Sequence, residues 1–292
     1  MLYEQPIFRP PAEANSLIIQ LTIGCDWNKC RFCEMYTSKM FRVKPISQIE
    51  SDINYLSQTN PAIRRIFIGD ADIFAADFDS IIATLNLIKI HFPKAKRISA
   101  YASARGIKKF STDQLSAIRL KGLILLYGGI ESGDNNVLEL INKGSDAKKQ
   151  TEAFLTVKNA GFKLSLMVLN GLGGKELSKQ HALNTAKLLN KVQPELLSSL
   201  VVSYPFEFEH FKKRLKKEFT PLSAIELCQE LHLLISHLKL ESTVFRSDHV
   251  SNYLILKGAL NKDKEKFLAQ LEQALSILPN TDEAFLNENT VL

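Results

Sequence analysis

Ser16-Leu-Ile-Ile-Gln-Leu-Thr-Ile-Gly-Cys25-Asp-Trp-Asn-Lys-Cys30-Arg-Phe-Cys33 joins an apolar, β-branched run to three thiols. Leu17–Ile23 reads as a strand ending at Gly24, which puts the cysteines in the loop that follows. β/α barrels bind ligands on the rim formed by the carboxyl ends of their strands, so this loop stands where chemistry is expected. The chain has only four cysteines. A disulfide scaffold spreads an even number through a short exported chain, whereas three thiols within nine residues point to a metal or an iron–sulfur cluster. Three thiolates hold three irons of a [4Fe–4S] cluster and leave the fourth open to a non-protein ligand. An open metal position separates catalytic sites from structural ones. Two other readings compete. A structural zinc needs a fourth ligand, and the nearest histidine is His91, on a predicted helix. A simple electron carrier needs a fourth cysteine, but Cys228, flanked by Ile225, Leu227 and Leu231, reads as an inert buried thiol.

Working outward, apolar runs alternate with amphipathic stretches. Strands are predicted at Arg65–Gly69, Arg97–Tyr101, Leu123–Ile130, Lys163–Leu169 and Ser198–Ser203. They are short and apolar without strict alternation, as parallel strands covered on both faces are. Ser47-Gln-Ile-Glu50 predicts a capping box opening a helix to about Ser57, and Ser111-Thr-Asp-Gln114 repeats the pattern. Asp77 is placed to cap a helix to His91, stopped by Pro93. Gly144 and Gly161 read as helix stops, and a helix from about Glu176 to Val192 ends before Pro194. Six βα units predict an open six-stranded (β/α)6 partial TIM barrel, two units short of closure. After Ser203 the pattern changes to a helix near Ser223–Leu238, a seventh strand at Thr243–Arg246, a polar loop, a helix near Lys262–Leu278 and a frayed tail from Pro279. The expected organisation is an N-terminal arm (1–15), a barrel core (16–204) and a C-terminal α/β extension packed on the barrel (205–292).

Composition is that of an ordinary globular chain, with 45% apolar and 23% charged residues. The most apolar stretch, Leu123–Ile130, holds two glycines and is far too short to span a membrane. The N-terminus lacks the basic start and apolar run of a secretory signal, so a cytoplasmic protein is expected. The net charge is +6. Its densest cluster, Lys212–Lys217, lies among Phe211, Leu215 and Phe219 at helical spacing, and reads as a solvated basic face before a nucleic-acid patch.

The run TIGCDWNKCRFCEMY resembles the cluster loop of the radical S-adenosylmethionine (radical SAM) superfamily, in the variant with four residues between the first two cysteines. The resemblance covers roughly Ser16 to Ser203 and extends to Phe245–Tyr253 within one subgroup. It implies a single [4Fe–4S] cluster on Cys25, Cys30 and Cys33. It further implies S-adenosylmethionine on the open iron, split by one electron into a 5′-deoxyadenosyl radical that abstracts hydrogen from substrate. Phe32 matches the aromatic before the last cysteine. Gly69-Asp70-Ala71-Asp72 takes the place of the GGE-type motif holding the methionine ammonium, keeping one glycine and offering Asp70 as the acid. Glu131-Ser132 matches a pattern facing the ribose or methionine end, Asn170-Gly171 the adenine-side glycine motif, and Ser203 and Tyr204 are placed to flank the adenine. Arg246, His249 and Asn252 form a polar loop expected to close over substrate.

Each feature also has a local reading. Asp70 and Asp72 can cap backbone, Glu131 can pair with Lys143, the glycines can serve a tight turn, and Trp27 and Tyr36 can pack the loop. With a single cysteine outside the loop no second four-cysteine cluster is expected, and with only a short stretch before the first strand no cobalamin-binding domain is expected. The expected partners are an external one-electron donor of flavodoxin or ferredoxin type and a small-molecule substrate in preference to nucleic acid.

Overall fold

The computed structural model describes residues 2–215 and 217–277; the polar tail from Pro279 lies outside them. The chain runs β1 (Leu17–Gln20), β2 (Thr22–Ile23), β3 (Arg42–Val43), α1 (Ile46–Thr59), β4 (Arg65–Gly69), α2 (Phe78–His91), β5 (Arg97–Tyr101) and α3 (Ala104–Ile107). It continues through α4 (Thr112–Leu120), β6 (Leu123–Glu131), α5 (Asn135–Leu140), α6 (Ala147–Asn159), β7 (Lys163–Asn170) and α7 (Gly174–Val192). Then follow β8 (Leu196–Val201), α8 (Phe208–Leu215), α9 (Ala224–His237), β9 (Val244–Arg246), β10 (Lys257–Ala259) and α10 (Leu260–Ile277). Eight strands form one sheet in the order β1-β4-β5-β6-β7-β8-β9-β10. The pairs β1–β4, β4–β5, β5–β6, β7–β8 and β8–β9 are parallel, and β9–β10 is antiparallel. This is an α/β fold on a mostly parallel sheet, as the alternation predicted.

The chain divides into two compact units, one comprising the N-terminus to Asn28, Cys33–Gly128 and Glu152–Leu164, the other Lys29–Phe32, Gly129–Thr151 and Ser165 onward. In the first, Ile19, Ile66, Phe67, Ile68 and Ala100 are fully buried strand residues, and Phe67, Tyr101 and Tyr127 stack edge to face. Within this core the Glu13 carboxylate accepts from the Tyr127 hydroxyl at 2.7 Å and from Arg97 at 2.9 Å. A charge at this depth is tolerable only when paired this way. In the second, Phe245 and Phe267 are buried 5.9 Å apart, and α9 packs against both α7 and α10.

Four local expectations are corrected. The strand read as Leu17–Ile23 is two strands. At Leu21 the chain changes partners: its N–H donates to the Gly69 carbonyl while its own carbonyl accepts from Lys44, and β2 pairs antiparallel with β3. The helix assigned a capping box at Ser47 starts two residues earlier. Pro45 is its N-cap with no side-chain hydrogen bond, and the Pro45 carbonyl takes the Gln48 and Ile49 amides. The strand read as Ser198–Ser203 is β8, two residues earlier, where Leu196–Val201 pairs in register with Ser165–Asn170. The helix through Phe211 and Leu215 does not extend to Phe219, yet Phe219 still meets Phe211 at 5.2 Å between ring centroids. The Asp77 cap and the Ser111 capping box form as predicted.

Candidate active site

The cysteine loop opens on a buried ion pair. The Asp70 carboxylate accepts from the Gly24 amide at 2.9 Å, from Gln20 Nε2 at 3.0 Å and from Lys39 Nζ at 2.8 Å, and both charged side chains are almost wholly out of solvent. The stretch after β4 is thereby fixed to the start of the loop. Beyond it, the Asn28 amide donates to Cys25 Sγ at 3.4 Å and Asn28 Nδ2 donates to the Tyr36 carbonyl at 2.8 Å. Arg105 lies over the Trp27 ring at 4.4 Å and pairs with Asp26 at 3.3 Å. Burial pushes the Cys25 thiol up, against two backbone hydrogen bonds that pull it down. Tyr36 is 4% exposed, and its hydroxyl has no hydrogen-bond partner.

Asp72 accepts from the Phe74 amide at 3.0 Å, capping the turn Ile73–Ala75, and from the Ser103 hydroxyl. Desolvation raises its carboxyl to about 7, with the Ser103 hydrogen bond opposing. Gly106 makes room for it: a Cβ there would stand 2.4 Å from Asp72 Oδ2.

The middle of the loop, Lys29–Phe32, is held by other elements. Arg214 of α8 donates to the Cys30 carbonyl at 2.9 Å. Arg31 donates to the carbonyls of Leu140 at 2.8 Å and Leu215 at 3.2 Å, and Phe32 packs on the apolar cluster containing Phe211, Leu215 and Phe219.

At the end of β6, Glu131 stands at φ +58°, a conformation costing a non-glycine residue about 1–2 kcal/mol. Its Oε1 takes Lys143 Nζ at 2.8 Å, as the local reading proposed, while Oε2 is buried without a partner. The Ser132 hydroxyl meets His181 Nδ1 at 2.8 Å. Asn170 donates to the Leu227 carbonyl at 3.0 Å. Gly171, at φ +83°, donates its amide to Glu230 Oε1 at 2.6 Å, and a Cβ there would strike Leu227 at 2.7 Å. A positive φ and a close approach together admit only glycine. Ser203 is exposed, and Tyr204 stacks on Phe208 and Phe211.

The predicted substrate loop is structurally occupied in part. Asn252 clamps the edge of β8, its Oδ1 taking the Val201 amide at 3.0 Å and its Nδ2 giving to the Ser199 carbonyl at 2.9 Å. His249 Nδ1 bonds the Ser251 hydroxyl at 2.8 Å, and Arg246 is exposed on β9. The sequence reading missed Lys39, Ser103, Gly106, His181 and Glu230, all brought to these residues by long-range contacts that leave no local pattern.

The donor set fits an iron–sulfur cluster: three partly buried thiols in one loop, with the remaining cysteine, Cys228, buried. Among the described residues, no three His, Cys, Asp or Glu side chains converge as a single ion requires. A cluster does not ask for this, because each thiolate binds its own iron. For S-adenosylmethionine, the partnerless Glu131 Oε2 is a buried acceptor suited to a hydroxyl or ammonium donor.

A mostly parallel α/β sheet with a three-thiol loop after its first strand outlines an iron–sulfur enzyme. More particularly, residues 19–189 match the Radical SAM superfamily, and the chain belongs to it. Its cofactors are those of the family, a [4Fe–4S] cluster and S-adenosylmethionine. Solved structures with the same fold include coproporphyrinogen III oxidase (HemN) from Escherichia coli, described as a radical SAM enzyme, at TM-score 0.57 and 19% identity over 76% of this chain and 52% of that one. The cobalamin-dependent radical enzyme OxsB, with aqua-cobalamin and S-adenosylmethionine bound, gives TM-score 0.54 and 14% identity over 88% of this chain and 36% of that one. Methylornithine synthase (PylB) gives TM-score 0.52 and 13% identity over 94% and 85%. The chain thus spans between about a third and a half of the length of the first two structures. No curated protein matches it by sequence, and the non-catalytic zinc reading gains no support. No helix among the described residues is long and apolar enough to cross a membrane.

Proposed function

We propose that this chain is a radical SAM enzyme that abstracts hydrogen from a small-molecule substrate, drawing its electron from an external carrier and working in the cytoplasm. The observation that carries the reading is the three-thiol loop seated on the buried Asp70–Lys39 pair, within the span matched to the family. Cys25, Cys30 and Cys33 hold the cluster. When bound, the cluster and S-adenosylmethionine supply one-electron reductive cleavage that ends in hydrogen abstraction.

The protein binds, orients and shields. Gly69, Asp70 and Asp72 line the methionine end, with Asp70 acting through the loop it anchors. Glu131 offers its open oxygen to a ligand donor, Ser132 is oriented by His181, and Asn170 and Gly171 shape the adenine side. Phe32, Ser203 and Tyr204 close that side against water. Arg246 and His249 face substrate, and Asn252 holds their loop to β8. In the same reading the parallel strands form the open (β/α)6 barrel of a core spanning 16–204, with an arm at 1–15 and an extension at 205–292.

Anaerobic reconstitution with iron and sulfide tests the proposal. The expected result is a [4Fe–4S] electron paramagnetic resonance signal perturbed by S-adenosylmethionine, and release of 5′-deoxyadenosine after reduction. A colourless protein holding one zinc per chain would reject it.

A further inference from the structure

The twelve residues Phe208–Phe219 contain five basic and two acidic side chains, a net +3, which is half the net charge of the whole chain. Lys212, Lys213 and Lys217 are exposed. The opposite side of the same segment is apolar, with Phe211, Leu215 and Phe219 buried together, so the lysines are held on a fixed surface. That surface is joined to the middle cysteine of the loop: Arg214, between Lys213 and Leu215, donates to the Cys30 carbonyl at 2.9 Å, and Arg31 beside Cys30 donates back to the Leu215 carbonyl at 3.2 Å. Six residues before Lys212 and just ahead of α8, Phe206 is 58% exposed and meets the His210 ring edge-on at 5.8 Å.

We infer that the surface carrying Lys212 and Lys213 of α8 and Lys217 beyond it, with Phe206 beside His210, is the docking surface for an acidic one-electron carrier protein of the flavodoxin type. The inference rests on the radical SAM reading, which requires an electron from outside. Positive charge around an exposed aromatic suits a small, transient redox contact, in which complementary charge sets the association rate. The hydrogen bond from α8 to Cys30 gives that contact a direct route to a cluster ligand. One electron leaves the carrier's reduced flavin and arrives at the thiolate-bound cluster; no covalent bond is made or broken and no proton crosses. A nucleic-acid partner is disfavoured because Glu209 and Glu218 flank the lysines on either side and no recognised nucleic-acid-binding motif accompanies them.

The test compares wild type with K212E/K213E/K217E, using an acidic flavodoxin as probe. Binding is measured by calorimetry on the full chain before and after reconstitution, at low and high salt, and cluster reduction is followed by electron paramagnetic resonance with flavodoxin or with titanium(III) citrate. The triple variant is expected to bind flavodoxin at least tenfold more weakly at low salt. It is expected to be reduced by flavodoxin at least tenfold more slowly, and by titanium(III) citrate at the wild-type rate. Wild-type binding and flavodoxin reduction in the variant would overturn the inference, as would slowed reduction by both reductants, which would place the lysines in the folding of the loop. Binding of a single-stranded RNA oligonucleotide lost in the variant, with flavodoxin binding intact, would overturn it in favour of nucleic acid. A wild-type chain that forms no cluster fails the functional reading instead, while the calorimetric arm still reports on the surface.

Discussion

Asp72 is almost wholly buried, and its carboxyl is raised to about 7, chiefly by desolvation. In the unfolded chain an aspartate titrates near about 4. Between these values the folded state binds more protons, so stability falls as pH rises from about 4 to about 7 and levels off above. Asp72→Asn keeps one oxygen for the Phe74 amide and turns an NH2 donor to the Ser103 hydroxyl oxygen, and it removes the titration. Urea unfolding of the variant should therefore be flatter with pH than that of wild type, and the variant should be more stable at pH 8 by the order of a few kcal/mol. Parallel profiles would show that Asp72 titrates normally. Asn252→Ala leaves the Val201 amide and the Ser199 carbonyl without their partner, at an expected cost of about 1–3 kcal/mol in the same assay; an unchanged midpoint would free Asn252 from its clamp role. At this scale the sequence was legible wherever partners are close along the chain. The Glu131–Lys143 pair, twelve residues apart, was read correctly. Lys39 beneath Asp70 and Glu230 beneath Gly171, separated by 31 and 59 residues, were not, since nothing near either residue announces the other.

Helix caps make the same point at the scale of the element. Ser111 and Ser223 each form a full capping box, with the N3 side chain returning to the cap amide. Ser47 has the same S-x-x-E spacing but lies inside the first turn of α1 behind Pro45. Ser111→Ala and Ser223→Ala should each lower stability by about 1 kcal/mol, and Ser47→Ala by no more than about a few tenths, read as shifts in denaturant midpoint. Equal losses at all three would mean that the motif acts without its geometry. A proline two residues ahead of the serine was the available signal, because proline favours the start of a helix and moves the boundary forward. The short strands β2, β3 and β10, of two and three residues, carried no such signal. Strands of that length are defined by the partner they meet, and their composition does not distinguish them from loop.

For the molecule as a whole, the alternation of apolar strands and amphipathic helices was sufficient to predict a mostly parallel α/β sheet, because covering both faces of such a sheet demands that alternation. The division into two compact units was not legible, since its cuts run through β6, α6, β7 and the cysteine loop and no linker composition marks them. Ligation adds a term that belongs to the whole chain. A cluster and a cofactor that bind only the folded state stabilise it by mass action, by about 2.7 kcal/mol for a ligand at a hundred times its dissociation constant. Spread over the unfolding entropy of a chain of this size, that corresponds to a rise of several degrees. Anaerobic thermal melts should therefore place the reconstituted chain above the metal-free chain, with a further rise on adding S-adenosylmethionine. Ala at Cys25, Cys30 or Cys33 should abolish both increments. Cys228→Ala should retain both from a lower starting point, since it opens a small cavity in a buried site without touching a ligand. Coincident melts for reconstituted and metal-free wild type, with iron and sulfide bound in full, would separate ligation from folding and leave the cluster attached to a loop that the rest of the molecule does not need.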